Sequence, residues 1–296
     1  MSNQKQWTTP MALLGVFLAV LLVIGSLRDF TISDALYSGE LPLWGGILAA
    51  VGELPAFCAI AAALTFFLTD SGGKSRVKTV ILRIVSVGLT LAAMALSLRE
   101  AREGLPQVPT ALLIAAIAAI FLAVMFFAMR FFRGVERGKA LRFAVTALLF
   151  CLLTLLIANG LKYLWCRPRM RLLRVMPAVE FKNWWQFGRE QMKLFVAQGV
   201  EKSEFRSMPS GHVSGAACSL LWMLLPTLRG KNLSLGAFAA SLVFTAAVAF
   251  SRLVMGAHFL TDITVAWILA YVLYLLCARL LRADSKCGAC ADKLLG

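Results

Sequence analysis

Histidine is nearly missing from this chain, which has two in 296 residues. Charge is scarce too: Asp, Glu, Lys and Arg make up 15%, where a soluble globular domain carries roughly a quarter. With a mean hydropathy of +0.79, that scarcity excludes the soluble globular class. Acidic residues are few, 15 against 30 Lys and Arg. No stretch groups carboxylates as a metal site would, so neither a metal nor another cofactor is expected. Cysteine builds no disulfide framework. Cys58, Cys151, Cys166, Cys218 and Cys277 fall within or at the ends of apolar runs, where a small buried hydrophobe is the usual role. Cys287 and Cys290 form a single C-x-x-C, without the second pair or the histidines of a zinc site. Fixed-period repeats and low-complexity tracts are absent as well.

What the chain does have is apolar length. Runs near the 20 residues that cross a bilayer recur at about 11–27, 43–68, 79–98, 109–132, 141–165, 212–228, 234–254 and 262–281. Continuous apolar segments of this kind cross lipid as helices. The first has no small-residue cleavage site and reads as an uncleaved span. The second is interrupted by Glu53 and Pro55, which can kink or split it. The expectation is an all-α integral membrane protein of about eight spans. Residues 1–135 hold four of them, 136–282 form the chemical region with an extracytoplasmic loop at 170–208, and 283–296 form a cytoplasmic tail. In that loop Met192, Phe195, Val196 and Val200 recur at helical spacing beside "NWWQF" (183–187). This pattern fits a segment lying in the membrane interface, or one folded back over the helices.

A net charge of +15 raises nucleic acid as a partner, but its distribution excludes that class. Lys5, Lys74, Arg76 and Lys78, the basic cluster from Arg130 to Arg142, Arg229 and Lys231, and Arg279 onward all fall on one side of the alternating spans. The opposite loops at 28–42 and 99–108 balance arginines with acids. This positive-inside bias places both termini in the cytoplasm of a plasma (inner) membrane protein. One outer region breaks the rule: from Lys162 to Arg206 there are ten Lys or Arg against four Glu.

Three short stretches meet on that same face. "KYLWCRPRM" (162–170) ends the fifth run, "SMPSGHVSG" (207–215) opens the sixth, and "SRLVMGAHFLTD" (251–262) joins the seventh to the eighth. Singly, each has a plain explanation as an interface anchor, a turn with an N-cap, or a structural histidine. Together they bring both histidines and three cations to one depth, which is costly unless something compensates. Lys162, Arg169 and Arg252 can clamp an anion with several oxygens, the arginines in bidentate fashion. Backbone N–H groups around Ser210 and Gly211, opening a helix, add an anion site. His258 and Asp262 are four apart and share a helical face. Asp262 can accept from one ring nitrogen, leaving the other to attack phosphorus. His212, protonated, can donate to the leaving oxygen. These are the parts of a phosphoryl-transfer site in which cations replace magnesium.

The three stretches resemble the motifs of the type 2 phosphatidic acid phosphatase (PAP2) superfamily, which also includes the vanadium haloperoxidases. The family pattern is K-x6-R-P, P-S-G-H and S-R-x5-H-x3-D. The last two are matched by Pro209-Ser210-Gly211-His212 and by Ser251-Arg252, His258 and Asp262. The first is matched by Lys162 and Arg169, with Met170 in place of proline. Arg167-Pro168 offers a rival alignment two residues too short, so Arg169 is preferred, and Arg169→Ala is expected to cost more activity than Arg167→Ala. The resemblance implies a six-helix core, here with two extra N-terminal transmembrane helices. It also implies a phosphohistidine on His258 and His212 as acid.

The function expected is a metal-independent lipid phosphatase, acting on phosphatidic acid, phosphatidylglycerol phosphate, a polyprenyl pyrophosphate or a lipid A phosphate. The partners are that lipid phosphate and the bilayer. The sequence fixes neither the lipid nor the oligomeric state. Three alternatives are a lipid-to-lipid phosphotransferase using the same residues, a vanadate-dependent haloperoxidase, which eight spans argue against, and a transporter or lipid-binding protein. Glu53 and Arg83, lying within spans, are the best hints of the last.

Overall fold

The computed structural model describes residues 2–40, 42–70 and 75–283. Cys287, Cys290 and nearly all of the tail at 283–296 lie outside the described residues. The chain runs α1 (Ser2–Leu36), α2 (Leu43–Gly52), α3 (Leu54–Thr69), α4 (Arg76–Gly104), α5 (Thr110–Phe132) and α6 (Arg137–Trp165). It continues through α7 (Met170–Val175), α8 (Arg189–Ala197), α9 (Gly211–Ala217), α10 (Leu235–Val254) and α11 (Leu260–Ala283). Two 3₁₀ segments, Lys202–Phe205 and Cys218–Arg229, precede and follow α9. There is no strand among the described residues. Among the described residues, eight helical segments are long and apolar enough to cross a membrane: Thr9–Leu36, Leu43–Thr69, Arg76–Gly104, Thr110–Phe132, Arg137–Val175, Gly211–Arg229, Leu235–Val254 and Leu260–Arg279. The protein is an all-α, multi-pass membrane protein.

Local chemistry sets the breaks. The second span does split: Glu53 caps α2 and Pro55 opens α3, where a missing N–H breaks no helical bond. α6 stops at Cys166, whose φ of 47° is left-handed. Arg167 is then held extended by Pro168. Two segments read as loops are helical. α1 continues past a kink at Arg28 to Leu36, because Asp29 and Ser33 are tied to the start of α11. α4 runs to Gly104, carrying Arg99 and Glu100 on its last turns.

Six spans surround the three motifs. α1 packs on α11, α11 on α6 and α9, and α2 and α3 pack on α6, α9 and α10. The core is rich in small residues, such as Ala56, Ala61, Ala144, Ala216, Ala266 and Ala270, all buried, which let membrane helices approach closely. The two additional helices of the N-terminal half are identified by packing. α4 and α5 lie against α2, α3 and each other, outside the six. The connection at 170–208 folds back over the helix ends around its own cluster of Leu172, Val179, Phe195 and Phe205. Trp165 donates to Trp184 O at 2.5 Å, and Trp184 donates to Ser26 Oγ at 2.8 Å. Trp185 and Phe187 remain exposed.

Candidate active site

The three motifs are stitched together through the backbone. Ser210 N–H donates to Asp262 O at 3.2 Å, Ser207 N–H to Arg167 O at 3.1 Å and Arg171 N–H to Gly256 O at 2.9 Å. Gly256 sits at φ +60°, and a Cβ there would meet the Tyr37 ring at 2.7 Å. Only glycine makes this turn between α10 and His258 without strain.

A cavity of about 670 Å³ results, lined by Lys162, Arg169, His212, Arg252 and His258. Ser210 and Gly211 border it: a Cβ on Gly211 would lie 2.9 Å from Lys162 Nζ. With its own N–H committed to Asp262, Ser210 leaves the first-turn N–H groups of α9, from Gly211 onward, without intrahelical acceptors. Ser210 Oγ and the Nε atoms of Arg169, Arg252 and Arg206 are buried without hydrogen-bond partners. Unpaired buried donors are expensive, and an anion of several oxygens would satisfy them. Arg206, over the Tyr163 ring, also lines the cavity.

His258 Nδ1 faces Ser207 O at 2.5 Å. A carbonyl can only accept, so this nitrogen carries the proton and Nε2 keeps its lone pair. Burial, then the charges of Arg252, Arg169 and Lys162, pushes the His258 pKa well below its ordinary 6.5, in favour of the uncharged ring. Asp262 stands one step behind the position expected for it, with Oδ2 3.9 Å from His258 Nδ1. It accepts instead from Ser207 Oγ, from Phe259 N–H at 2.8 Å and from Arg167 at 2.5 Å. Asp262 thus holds the carbonyl that holds the histidine.

The two arginines of the first motif separate cleanly. Arg167 is fully buried between Asp29 and Asp262, bonds Thr261 and Lys182 O, and is covered by Phe181 and Phe259. It does not line the cavity; Arg169 does.

Other residues here were missed. Glu53, at the α2–α3 break, and Glu100, on α4, enter the cavity beside His212. Glu100 Oε2 lies 3.3 Å from His212 Nε2, and Glu53 Oε1 lies 3.9 Å from Nδ1. The expectation of no carboxylate cluster suited to a metal beside the motifs is therefore corrected, because packing imports Glu53 and Glu100 from distant helices. Glu53, Glu100 and His212 offer donor atoms within 4.8 Å of one another, a spacing that suits a cation. Lys162, Arg169, Arg252 and Arg99 act on the same point, and four positive charges disfavour another. Arg83 is exposed on α4, away from the cavity lining.

From the charged end the cavity continues along Phe57, Ile60, Leu89, Ala92, Leu96, Leu148, Leu152, Leu155 and Leu156, between α3, α4 and α6. Leu89, Leu96, Leu152 and Leu156 are exposed at its side.

Residues 143–286 match the family model described as the PAP2 superfamily. No curated protein and no solved structure matches the chain. The matched stretch carries all three motifs, from α6 through α11, and the fold gathers them in one cavity: the chain belongs to the PAP2 superfamily.

Proposed function

We propose that the protein is a metal-independent lipid phosphatase, hydrolysing the phosphate or pyrophosphate head of a membrane lipid through a phosphohistidine. Superfamily membership indicates phosphatase activity on phosphate esters. One observation carries the finer reading: the cationic chamber is continuous with an apolar groove open at the side of the helices. A phosphate head can reach the cations while its tail stays among lipid-facing leucines.

In this reading Lys162, Arg169 and Arg252 hold the non-bridging oxygens, with the first turn of α9 beside them. His258 Nε2 attacks phosphorus, forming a P–N bond as the bond to the lipid oxygen breaks, and His212 passes its proton to that oxygen. Water then attacks phosphorus and the P–N bond breaks. His212 takes back a proton, and inorganic phosphate leaves. The fixed cations stabilise the charge that develops in both steps. The positive-inside bias assigns this site to the extracytoplasmic face of the plasma (inner) membrane.

The test is a panel of phosphatidic acid, phosphatidylglycerol phosphate, polyprenyl pyrophosphate and lipid A phosphate, given to purified protein with a chelator present. Release of phosphate from at least one, abolished in a folded His258→Ala variant, is expected. Turnover retained by His258→Ala would remove the nucleophile. Label appearing on a second lipid in place of free phosphate would make the protein a phosphotransferase.

A further inference from the structure

We propose that Glu100, carried by the accessory helix α4, is a positioning residue for His212 and readies it for leaving-group protonation. This rests on the lipid phosphatase reading above but reaches beyond the three motifs, because α4 lies outside the matched region.

The geometry is specific. Glu100 is buried, and its two oxygens are divided. Oε1 accepts from Arg99 at 2.7 Å, while Oε2 lies 3.3 Å from His212 Nε2. Arg99 is braced in turn by Glu103 at 3.4 Å. The other ring nitrogen of His212, Nδ1, is the one nearer Glu53 Oε1. That oxygen and Lys162 Nζ both lie 2.9 Å from the point where a Gly211 Cβ would stand. Nδ1 is therefore on the side of the phosphate cradle, and Nε2 is on the side of α4. A carboxylate on Nε2 fixes the ring and favours the imidazolium, so that Nδ1–H can be given to the departing lipid oxygen. Glu53 faces the same ring but on the substrate's side, where an arriving phosphate competes with it for Lys162. Glu100 is thus the carboxylate that persists through the cycle.

A general acid matters in proportion to how poor the leaving group is. An alkoxide from a lipid needs the proton, and p-nitrophenolate scarcely does. Glu100→Gln, Glu100→Asp and the wild-type protein are assayed in detergent on the lipid phosphomonoester selected by the panel and on p-nitrophenyl phosphate. Glu100→Gln is expected to lower kcat on the lipid by about 10- to 100-fold, at or below the lower end of what losing a general acid outright costs, because the acid itself remains. The aryl ester should change less than about 3-fold, and Glu100→Asp should recover part of the lipid rate. Equal losses on both substrates would make Glu100 structural, and an unchanged lipid rate would make it irrelevant; either overturns the proposal. A loss reversed by added divalent cation would make it a metal ligand and overturn it too. If His258→Ala still turns over lipid, the phosphatase mechanism itself fails, independently of Glu100.

Discussion

At the scale of the residue, Arg167 and Arg169 show how a motif two residues out of register misassigns chemistry. Arg167 neutralises two buried carboxylates, Asp29 and Asp262; removing one partner of a buried pair costs about 3–5 kcal/mol. Arg167→Ala is therefore expected to reduce the folded yield in detergent and lower the Tm. Arg169→Ala, with no carboxylate ion pair to orphan, should fold normally and lose turnover, chiefly through weaker phosphate binding. Activity alone would not rank them, since an unfolded protein is also inactive; thermal unfolding read beside kcat/KM does. A folded, active Arg167→Ala with a defective fold in Arg169→Ala would reverse the assignment. The eight residues proposed for the site can be picked out in the sequence because their motifs are short and sit at span ends. Ser207 O and Asp29 cannot, for a backbone carbonyl leaves no mark in sequence. An aspartate beside Arg28 looked like ordinary loop balance until the α1 kink turned it inward.

At the scale of the element, the informative unit is the α4–α5 pair. Eight apolar runs, set against the six-helix core that the resemblance implies, pointed to two extra spans; only packing shows that one of them, α4, walls the cavity, with α5 against α3 and α4 behind it. Glu100 was hidden because "REAREGLPQ" (99–107) is as polar as any connecting loop, yet its first turns continue α4. The helix is docked by backbone contact: a Cβ on Gly46 would stand 2.3 Å from Gly104 O, and one on Gly104 2.8 Å from Ala50 N. Neither clash can be relieved by a side-chain rotation. Gly46→Val should push α4 from α2, costing about 1–3 kcal/mol as overpacking does. It should also lower lipid turnover, by displacing Glu100 and the groove wall formed by Leu89 and Leu96. Gly88, on the same helix, has nothing within 4 Å of an added Cβ. Gly88→Ala is expected to leave turnover unchanged and hold or raise stability, since alanine is the better helix former. Equal thermal stability and turnover in Gly46→Val would show that α4 docks by other means.

At the scale of the whole molecule, the proposed orientation rests on charge and exposure. The turn between α5 and α6 carries Arg133, and Arg137 opens α6, at the end of the helices away from the motif-bearing ends of α6, α9 and α11. The stretch from Lys162 to Arg206 is also basic, with ten Lys or Arg against four Glu, which would pull it toward the cytoplasm. Structure explains why it need not. Arg167 is neutralised within the fold, and Arg169 and Arg206 are turned into the cavity. Arg171 and Arg174 are paired with Glu204 and Asp34. At Glu204, burial works to raise the carboxyl, but the hydrogen bond to Arg171 and the charges of Arg169 and Arg171 outweigh it and hold its pKa low. Much of the loop's positive charge is thus spent inside the protein or on its own acids, and it no longer dictates topology. In the proposed orientation the exposed Trp185 and Phe187 suit the headgroup level of the outer leaflet. A membrane-impermeant maleimide decides the matter. In a background with the native cysteines replaced by serine, Trp185→Cys should be labelled in intact cells, and Arg133→Cys only after the membrane is opened. Labelling of Arg133→Cys from outside, with Trp185→Cys protected, would turn the cavity toward the cytoplasm and bring its lipid from the inner leaflet.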